Sequence, residues 1–504
     1  MAETDTEKKS LADFCKAWAV HFIILLNLAL TLFLSDKLNI WVDEAFSLHT
    51  TEKSLSYALE QALNFELQAP LYFAFLSLWR KLNGSVFFAR LFSVICVALT
   101  IYVVSLLSRR LWKDVHPGWI AAAVAFNPLT IAVAIEMRLY ALILLLTSLL
   151  LLSFYDGYLA EKRSRRAQVC YILLAIAALY TQYYMGFLLA ANACALVLLR
   201  RWRPLLEYVV GMLIAGLCFA PMLPFIRRQM SAHTAPLRDT ESWFSDFKFI
   251  LWRVKDYLLP AESETMAVVR TWVLRACYLA TLWIVIARRR QLRPQTIAPM
   301  TIALTLVLFF LIIARLSGQL VIQIRHTAVL FLPLVFAAFA LVILAGKRWI
   351  VMVWTLIAIM FALPLLYARY RPMAKQGDWQ RVAAHLMAQE KTEQPILIFH
   401  AGAELPLKHY YAGGNRLVPL PRDNTFERFD FHDYILRDER EITSALERTP
   451  GNHEELWLVT DGNCGFSGIS YNCALLEDFV NKSYTVEETR NFYGSRVRLL
   501  KIRR

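Results

Sequence analysis

Apolar stretches of about 17–25 residues recur along this chain, and they leave it few possible folds. In hydrocarbon every backbone N–H and C=O must be satisfied within the protein, so each such stretch is expected as a membrane-crossing helix. Eleven are read, near residues 17–35, 86–107, 118–135, 139–155, 167–183, 184–199, 205–226, 268–287, 296–316, 326–345 and 349–367. With 58% of its 504 residues hydrophobic, the chain reads as an α-helical polytopic membrane protein.

The basic residues orient these spans. Arg109, Arg110 and Lys113 follow the second, Lys162, Arg163, Arg165 and Arg166 the fourth, and Arg200, Arg201 and Arg203 the sixth. Arg288, Arg289, Arg290 and Arg293 follow the eighth, and Lys347 and Arg348 the tenth. By the positive-inside rule these loops and the amino terminus are expected in the cytoplasm, in a multi-pass protein of the inner membrane whose carboxy-terminal segment lies outside. The formal net charge of +14 is then mostly a topology signal, and no nucleic-acid partner is inferred from it. The first apolar stretch lacks a small-residue cleavage site and reads as a retained helix.

This orientation gathers the non-repetitive polar residues on the outer side. Asp43 and Glu44 follow the first span directly, and carboxylates at the rim of a bilayer are costly unless water, a countercharge or a ligand compensates them. Residues 47–80 carry helical periodicity and read as amphipathic helices lying in the interface, either fencing a lateral entrance or packing onto the bundle. The loop from Arg227 to Met266 mixes charges with aromatic residues, as suits a cover over a site or a plain connector.

Composition changes after about Arg369, where helical and strand patterns alternate. Strands are expected at 395–399, 456–459 and 497–502, with helices at 378–387, 405–411 and 474–480. The expected organisation is a membrane module over 1–368, including a first outer loop at 36–85, and a small α/β domain over 369–504. That domain has neither a phosphate loop nor a dinucleotide fingerprint. Cys464 and Cys473 lie close together in it, on the side that permits oxidation, and are the disulfide candidates. No group of residues has metal-ligand spacing; a divalent metal is left unassigned, with no other cofactor expected.

Outer-face carboxylates beside lipid, with no nucleotide pocket, suit transfer of a sugar carried on a polyprenyl phosphate. Such a reaction needs a base for the acceptor hydroxyl, cations for the departing phosphate and apolar walls for the lipid. Asp43 suits the base, and Glu44 completes the catalytic pair as its electrostatic or acceptor-binding neighbour. Arg138 and Arg325 suit the phosphate, and Tyr140, Tyr183 and Tyr184 suit the walls of a sugar or acceptor site.

The ordered motifs then resemble a known group. Trp41-Val42-Asp43-Glu44, Ala69-Pro70-Leu71-Tyr72 and Asn127-Pro128 followed by Glu136-Met137-Arg138-Leu139-Tyr140 come first. Leu179 to Tyr184, Arg325-His326 before Leu332-Pro333-Leu334, and Asp378-Trp379 follow in order. The set is similar to GT-C glycosyltransferases of the family 39 and protein-mannosyltransferase-like group, which includes bacterial enzymes that add sugars to lipid A. The resemblance implies inverting transfer from a polyprenyl-phosphate sugar, with Asp43 as catalytic base and Glu136 and Arg138 lining the site. The candidate substrate-binding residues are Glu136, Arg138, Tyr140, Gln182, Tyr183, Arg325 and His326. Gln182 stands where relatives often have histidine, and Ala69 replaces the first proline of a Pro-Pro pair. The acceptor is open among lipid A or its core, another glycan, a lipid and a protein.

Bland alternatives stand beside these roles. Glu136 and Arg138 also suit a structural ion pair, Arg325-His326 an interface anchor, and Asp378-Trp379 a tie for the tail. A lipid or sugar flippase is the rival class, and it calls for polar or broken mid-membrane helices and an internal repeat. A non-enzymatic scaffold would leave Asp43 and Glu44 without a task.

Overall fold

The computed structural model describes residues 2–232, 243–317, 327–449, 453–466 and 469–503. Four helices open the chain, α1 (Ala2–Lys37), α2 (Val42–Thr50), α3 (Leu55–Asn64) and α4 (Leu71–Arg80). Then come α5 (Val86–Leu111), α6 (Pro117–Ala125), α7 (Pro128–Ala134), α8 (Tyr140–Phe154), α9 (Arg165–Leu179), α10 (Met185–Leu198) and α11 (Trp202–Phe219). They are followed by α12 (Leu223–Ala232), α13 (Trp243–Leu258), α14 (Glu264–Ala287), α15 (Pro294–Ser317), α16 (Ala328–Leu344) and α17 (Arg348–Tyr370). Helices α18 (Trp379–Gln389), α19 (Glu404–Tyr410), α20 (Glu439–Glu447) and α21 (Cys473–Ser483) alternate with strands in the last segment.

Among the described residues, seven helices are long and apolar enough to cross a membrane, or eight if α6 and α7 count as one span. Those two are bent by 63° at Asn127-Pro128. Proline there has no N–H for the preceding turn, and the Asn127 side chain accepts the Leu129 N–H at 3.0 Å to start a new helix. Each of the eleven expected spans coincides with a helix or with this bent pair. Helices α9, α10 and α16, of 15, 14 and 17 residues, are short for a crossing, so length alone does not establish a count of eleven.

The chain divides into two compact units. The first contains Met1–Ser35, Phe87–Pro224 and Asp239–Arg369 and holds the long apolar helices. Several of its interior polar side chains are bonded in place. Arg90 on α5 is fully buried and donates to the Ser35 carbonyl at 2.8 Å, one of the α1 carbonyls near the helix end that lack an intrahelical partner. Asn192 donates to Tyr171, the Tyr171 and Tyr208 hydroxyls lie 2.8 Å apart, and Tyr208 donates to the Leu189 carbonyl. This chain ties α9, α10 and α11 together where water cannot compete.

The second unit contains Asp36–Val86, Phe225–Arg238 and Tyr370–Arg504. Residues 36–85, expected as a first outer loop of the membrane module, fall instead in one unit with the carboxy-terminal segment. Its sheet comprises β1 (Ile396–Phe399), β2 (Leu417–Leu420), β3 (Glu455–Asp461), β6 (Tyr484–Phe492) and β7 (Ser495–Ile502), in the order β2-β1-β3-β7-β6. The β2-β1-β3 part is parallel and the β3-β7-β6 part antiparallel. A separate hairpin is formed by β4 (Gly465–Phe466) and β5 (Ile469–Ser470), and Cys464 and Cys473 are joined by a disulfide across it.

Side chains alternate across the sheet, and both faces are covered. Leu397, Phe399, Leu456 and Leu458 pack with Ile442, Leu446, Leu476 and Val480 on one side. Ile396, Ile398, Trp457 and Val459 pack with Trp379, Val382, Leu386 and Leu407 on the other. Gly377 brings the chain into α18. It has φ +97°, donates its N–H to the Tyr493 carbonyl, and accepts the Ser495 hydroxyl at 2.6 Å. A Cβ there would lie 2.2 Å from the indole nitrogen of fully buried Trp379. Gly377→Ala is therefore expected to cost about 1–3 kcal/mol in backbone strain, with the clash in addition. Thermal unfolding of the purified full-length protein should show a clear fall in melting temperature, and an unchanged value would refute this account.

Candidate functional site

The candidate residues fall into both units, and each set is built by its own local structure. In the second unit, Asp43 and Glu44 occupy the first turn of α2, where carboxylates complement the exposed N–H groups of a helix start. Successive helical residues point about 100° apart, so the two carboxylates meet different surroundings. Asp43 is half-buried, whereas Glu44 is fully buried.

Glu44 is anchored. Its Oε2 accepts the Trp41 N–H at 3.4 Å and lies 2.8 Å from Nζ of Lys375, which is itself only 9% exposed. The Lys375 N–H donates to the Asn39 side chain at 2.7 Å, and the Asn39 amide donates to the Ile40 carbonyl. The Ile40 N–H donates to the Tyr410 hydroxyl at 2.8 Å. Val42 packs against the cluster around Trp379 and Leu407. Neither Lys375 nor Tyr410 carried a sequence signal, because each stands more than 300 positions from its partner.

Further along α2, His49 sits among Phe65, Phe426 and Tyr57, with the Tyr57 hydroxyl 3.2 Å from Nε2. Burial pushes its pKa below the ordinary histidine value, against the pull of Glu52 and with the help of Lys53. On α19, burial raises the carboxyl of Glu404, Lys408 opposes it, and Asp423 adds to the rise. Asp378 precedes α18 in a left-handed conformation, and Arg381 donates to it at 3.1 Å. Burial raises its pKa and Arg381 opposes the shift. With Trp379 in the core, Asp378-Trp379 has a structural task within this unit.

The first unit holds Glu136, Arg138, Tyr140, Gln182 and Tyr183. Residues 135–139 form the turn between α7 and α8, and residues 180–184 the turn between α9 and α10. Helices α8 and α9 follow one another and pack together, so the start of α8 and the end of α9 lie at one end of the pair. That places the two turns on the same side of this unit. Arg138, Tyr140 and Gln182 are buried, while Glu136 and Tyr183 are half-buried. The Ser93 hydroxyl donates to the Glu136 carbonyl at 2.6 Å and ties the turn to α5.

Two further bonds support this unit, linking Asn127 of the Asn127-Pro128 motif to Tyr257 and Thr327, which no motif singled out. Asn127 donates to the Tyr257 carbonyl at 2.9 Å, and the Tyr257 hydroxyl lies 2.5 Å from that of Thr327. They join the break between α6 and α7, the end of α13 and the start of α16. Arg270 on α14 donates to Asp256 near the end of α13 at 2.6 Å. Burial raises the Asp256 carboxyl, and Arg270 opposes the rise. Arg325 and His326 lie outside the described residues. Among the described residues, no three His, Cys, Asp or Glu side chains gather as a metal site.

The Lys375–Glu44 pair makes a measurable prediction. Removing one member of a buried ion pair typically costs about 3–5 kcal/mol, because the other is left charged and unpaired. Lys375→Met should destabilise the protein by about that amount, and adding Glu44→Gln should recover most of it. Chemical unfolding of the two variants would show this, and equal stability of single and double variants would contradict it.

No family model matches the chain, and no curated protein sequence does. Solved structures do. The apo structure of ArnT from Cupriavidus metallidurans superposes with a TM-score of 0.56 at 16% identity, covering 94% of this chain and 97% of that one. A structure of the same protein bound to undecaprenyl phosphate gives a TM-score of 0.44 at 14% identity over 95% and 97%. An oligosaccharyltransferase from Archaeoglobus fulgidus, in complex with zinc and sulfate, gives 0.43 at 13% over 86% of this chain and 68% of its own. Over nearly its whole length, this chain has the GT-C fold seen in ArnT.

Proposed function

We propose that this protein is an integral-membrane glycosyltransferase. It moves a sugar from a polyprenyl-phosphate donor to an acceptor hydroxyl at the outer face of the cytoplasmic membrane. The observation that carries this reading is the GT-C fold shared with ArnT across 94% of the chain, together with a half-buried Asp43 on a helix held in place by buried bonds.

In the proposed reaction the acceptor oxygen attacks the anomeric carbon as the bond from that carbon to the phosphate oxygen breaks. Asp43 takes the hydroxyl proton, the polyprenyl phosphate leaves, and the anomeric configuration inverts. Arg138 offers a planar guanidinium that pairs with two phosphate oxygens at once, which an ammonium group does not reproduce. Tyr140, Gln182, Tyr183 and Glu136 are assigned to the sugar or acceptor, and Arg325 with His326 to the donor phosphate. The acceptor belongs to the envelope glycans, lipids or proteins. Undecaprenyl phosphate, bound by ArnT in one of its structures, is the first carrier to test.

The test is release of undecaprenyl phosphate, followed by mass spectrometry, from a panel of undecaprenyl-phosphate sugars. Purified protein in nanodiscs would be supplied with envelope lipid and glycan extracts as acceptors. A folded Asp43→Asn protein should lose about 100-fold to 10,000-fold in turnover. Arg138→Lys should impair donor use more than stability. Donor moved across the bilayer without sugar transfer would favour a flippase, and near-normal turnover by Asp43→Asn would remove it as the base.

The orientation has its own test. Protease added to intact spheroplasts should cut the segment after Tyr370, and a cytoplasmic reporter fused after Arg504 should be silent. An active reporter would overturn the proposed placement.

A further inference from the structure

Residues that flank Asp43 on both sides are bonded to the carboxy-terminal segment. Asn39 accepts from the Lys375 backbone, Ile40 donates to Tyr410, and Glu44 pairs with the Lys375 ammonium group. Trp41 donates to Glu44, and Val42 packs against the core that contains Trp379 and Leu407. A helix of nine residues such as α2 has little stability of its own, so its position is set by its packing and these bonds.

We propose that Lys375 and Tyr410 are positioning residues for Asp43, an assignment that rests on the reading of Asp43 as the base. They act in two ways. The bonds at Asn39, Ile40 and Glu44 bracket Asp43 on both sides and fix the direction in which its side chain leaves the backbone. The Lys375 charge also balances Glu44, the next residue, so Asp43 does not share its turn with an uncompensated second carboxylate. The carboxy-terminal segment thereby has a task in the chemical step, apart from any choice of acceptor.

The enzyme–donor–acceptor geometry needed for transfer is sensitive to displacements of about 1 Å, which cost on the order of 100-fold in rate. Tyr410→Phe removes one hydroxyl from a half-buried ring, and Lys375→Met removes the charge. Both should lower kcat, by about tenfold and on the order of 100-fold respectively, with KM for the undecaprenyl-phosphate sugar within about twofold of wild type. The double variant Lys375→Met with Glu44→Gln should regain part of the lost kcat, since it removes both charges of the pair. Hydrogen exchange, which needs no substrate, should show residues 40–47 opening faster in Tyr410→Phe while β1 and β3 stay protected.

Wild-type kcat in both single variants, with Asp43→Asn inactive, would overturn the positioning role and leave the base assignment standing. A raised KM at unchanged kcat would overturn it as well, because that pattern belongs to a binding residue. Turnover by Asp43→Asn would instead remove the base reading on which the role rests. If Lys375→Met does not fold, the kinetics and hydrogen exchange of Tyr410→Phe decide.

Discussion

A lysine and a glutamate withdrawn together from water govern the second unit of this protein. Burial of either charge alone costs several kcal/mol, and the 2.8 Å contact between Lys375 and Glu44 offsets that cost only while both are in place. The surrounding bonds depend on the same arrangement. The Lys375 N–H reaches Asn39, the Glu44 carboxylate takes the Trp41 N–H, and Val42 is drawn against the core around Trp379. A loop that would otherwise be a short helix on a tether is thus built into an α/β core.

The two carboxylates at positions 43 and 44 divide their work by direction. Adjacent on a helix, they are turned away from each other, so one is spent on the interior and the other remains half-buried. A buried neighbour with its own counterion is an effective way to hold a reactive group, because the neighbour cannot rotate out without exposing an unpaired charge. In the first unit the turns at Glu136–Leu139 and Tyr180–Tyr184 are held by different means. There the Ser93 bond and the packing of α8 on α9 set the backbone.

The legible parts of the sequence are those where burial acts on a continuous run of residues. The long apolar helices stand out for that reason, as do β1, β3 and β7, whose neighbours cover both faces of the sheet. Strand β6 carries no alternating apolar pattern because it is an edge whose Glu487, Glu488, Thr489 and Arg490 face solvent. In strand β2 Pro419 interrupts the pattern, and a proline is tolerated there since β2 is the opposite edge. Asp43 and Glu44 were visible as a pair, but periodicity alone does not say which of two adjacent acids turns inward. The membership of residues 36–86 in the carboxy-terminal unit was not legible at all. It depends on contacts between distant segments, none of which leaves a local pattern.

Those distances bear on how the protein is made. Lys375 leaves the ribosome 331 residues after Glu44, and Tyr410 leaves 370 residues after Ile40. At the synthesis rates of living cells, about 5–20 residues per second, α2 waits tens of seconds for the partners that hold it. During that interval the early loop is an unfinished piece of a fold whose remaining strands do not yet exist. A chain interrupted between Glu44 and Lys375 would carry both acids yet lack the lysine that pairs with Glu44, so the setting of α2 in this unit is completed only after most of the chain has been made.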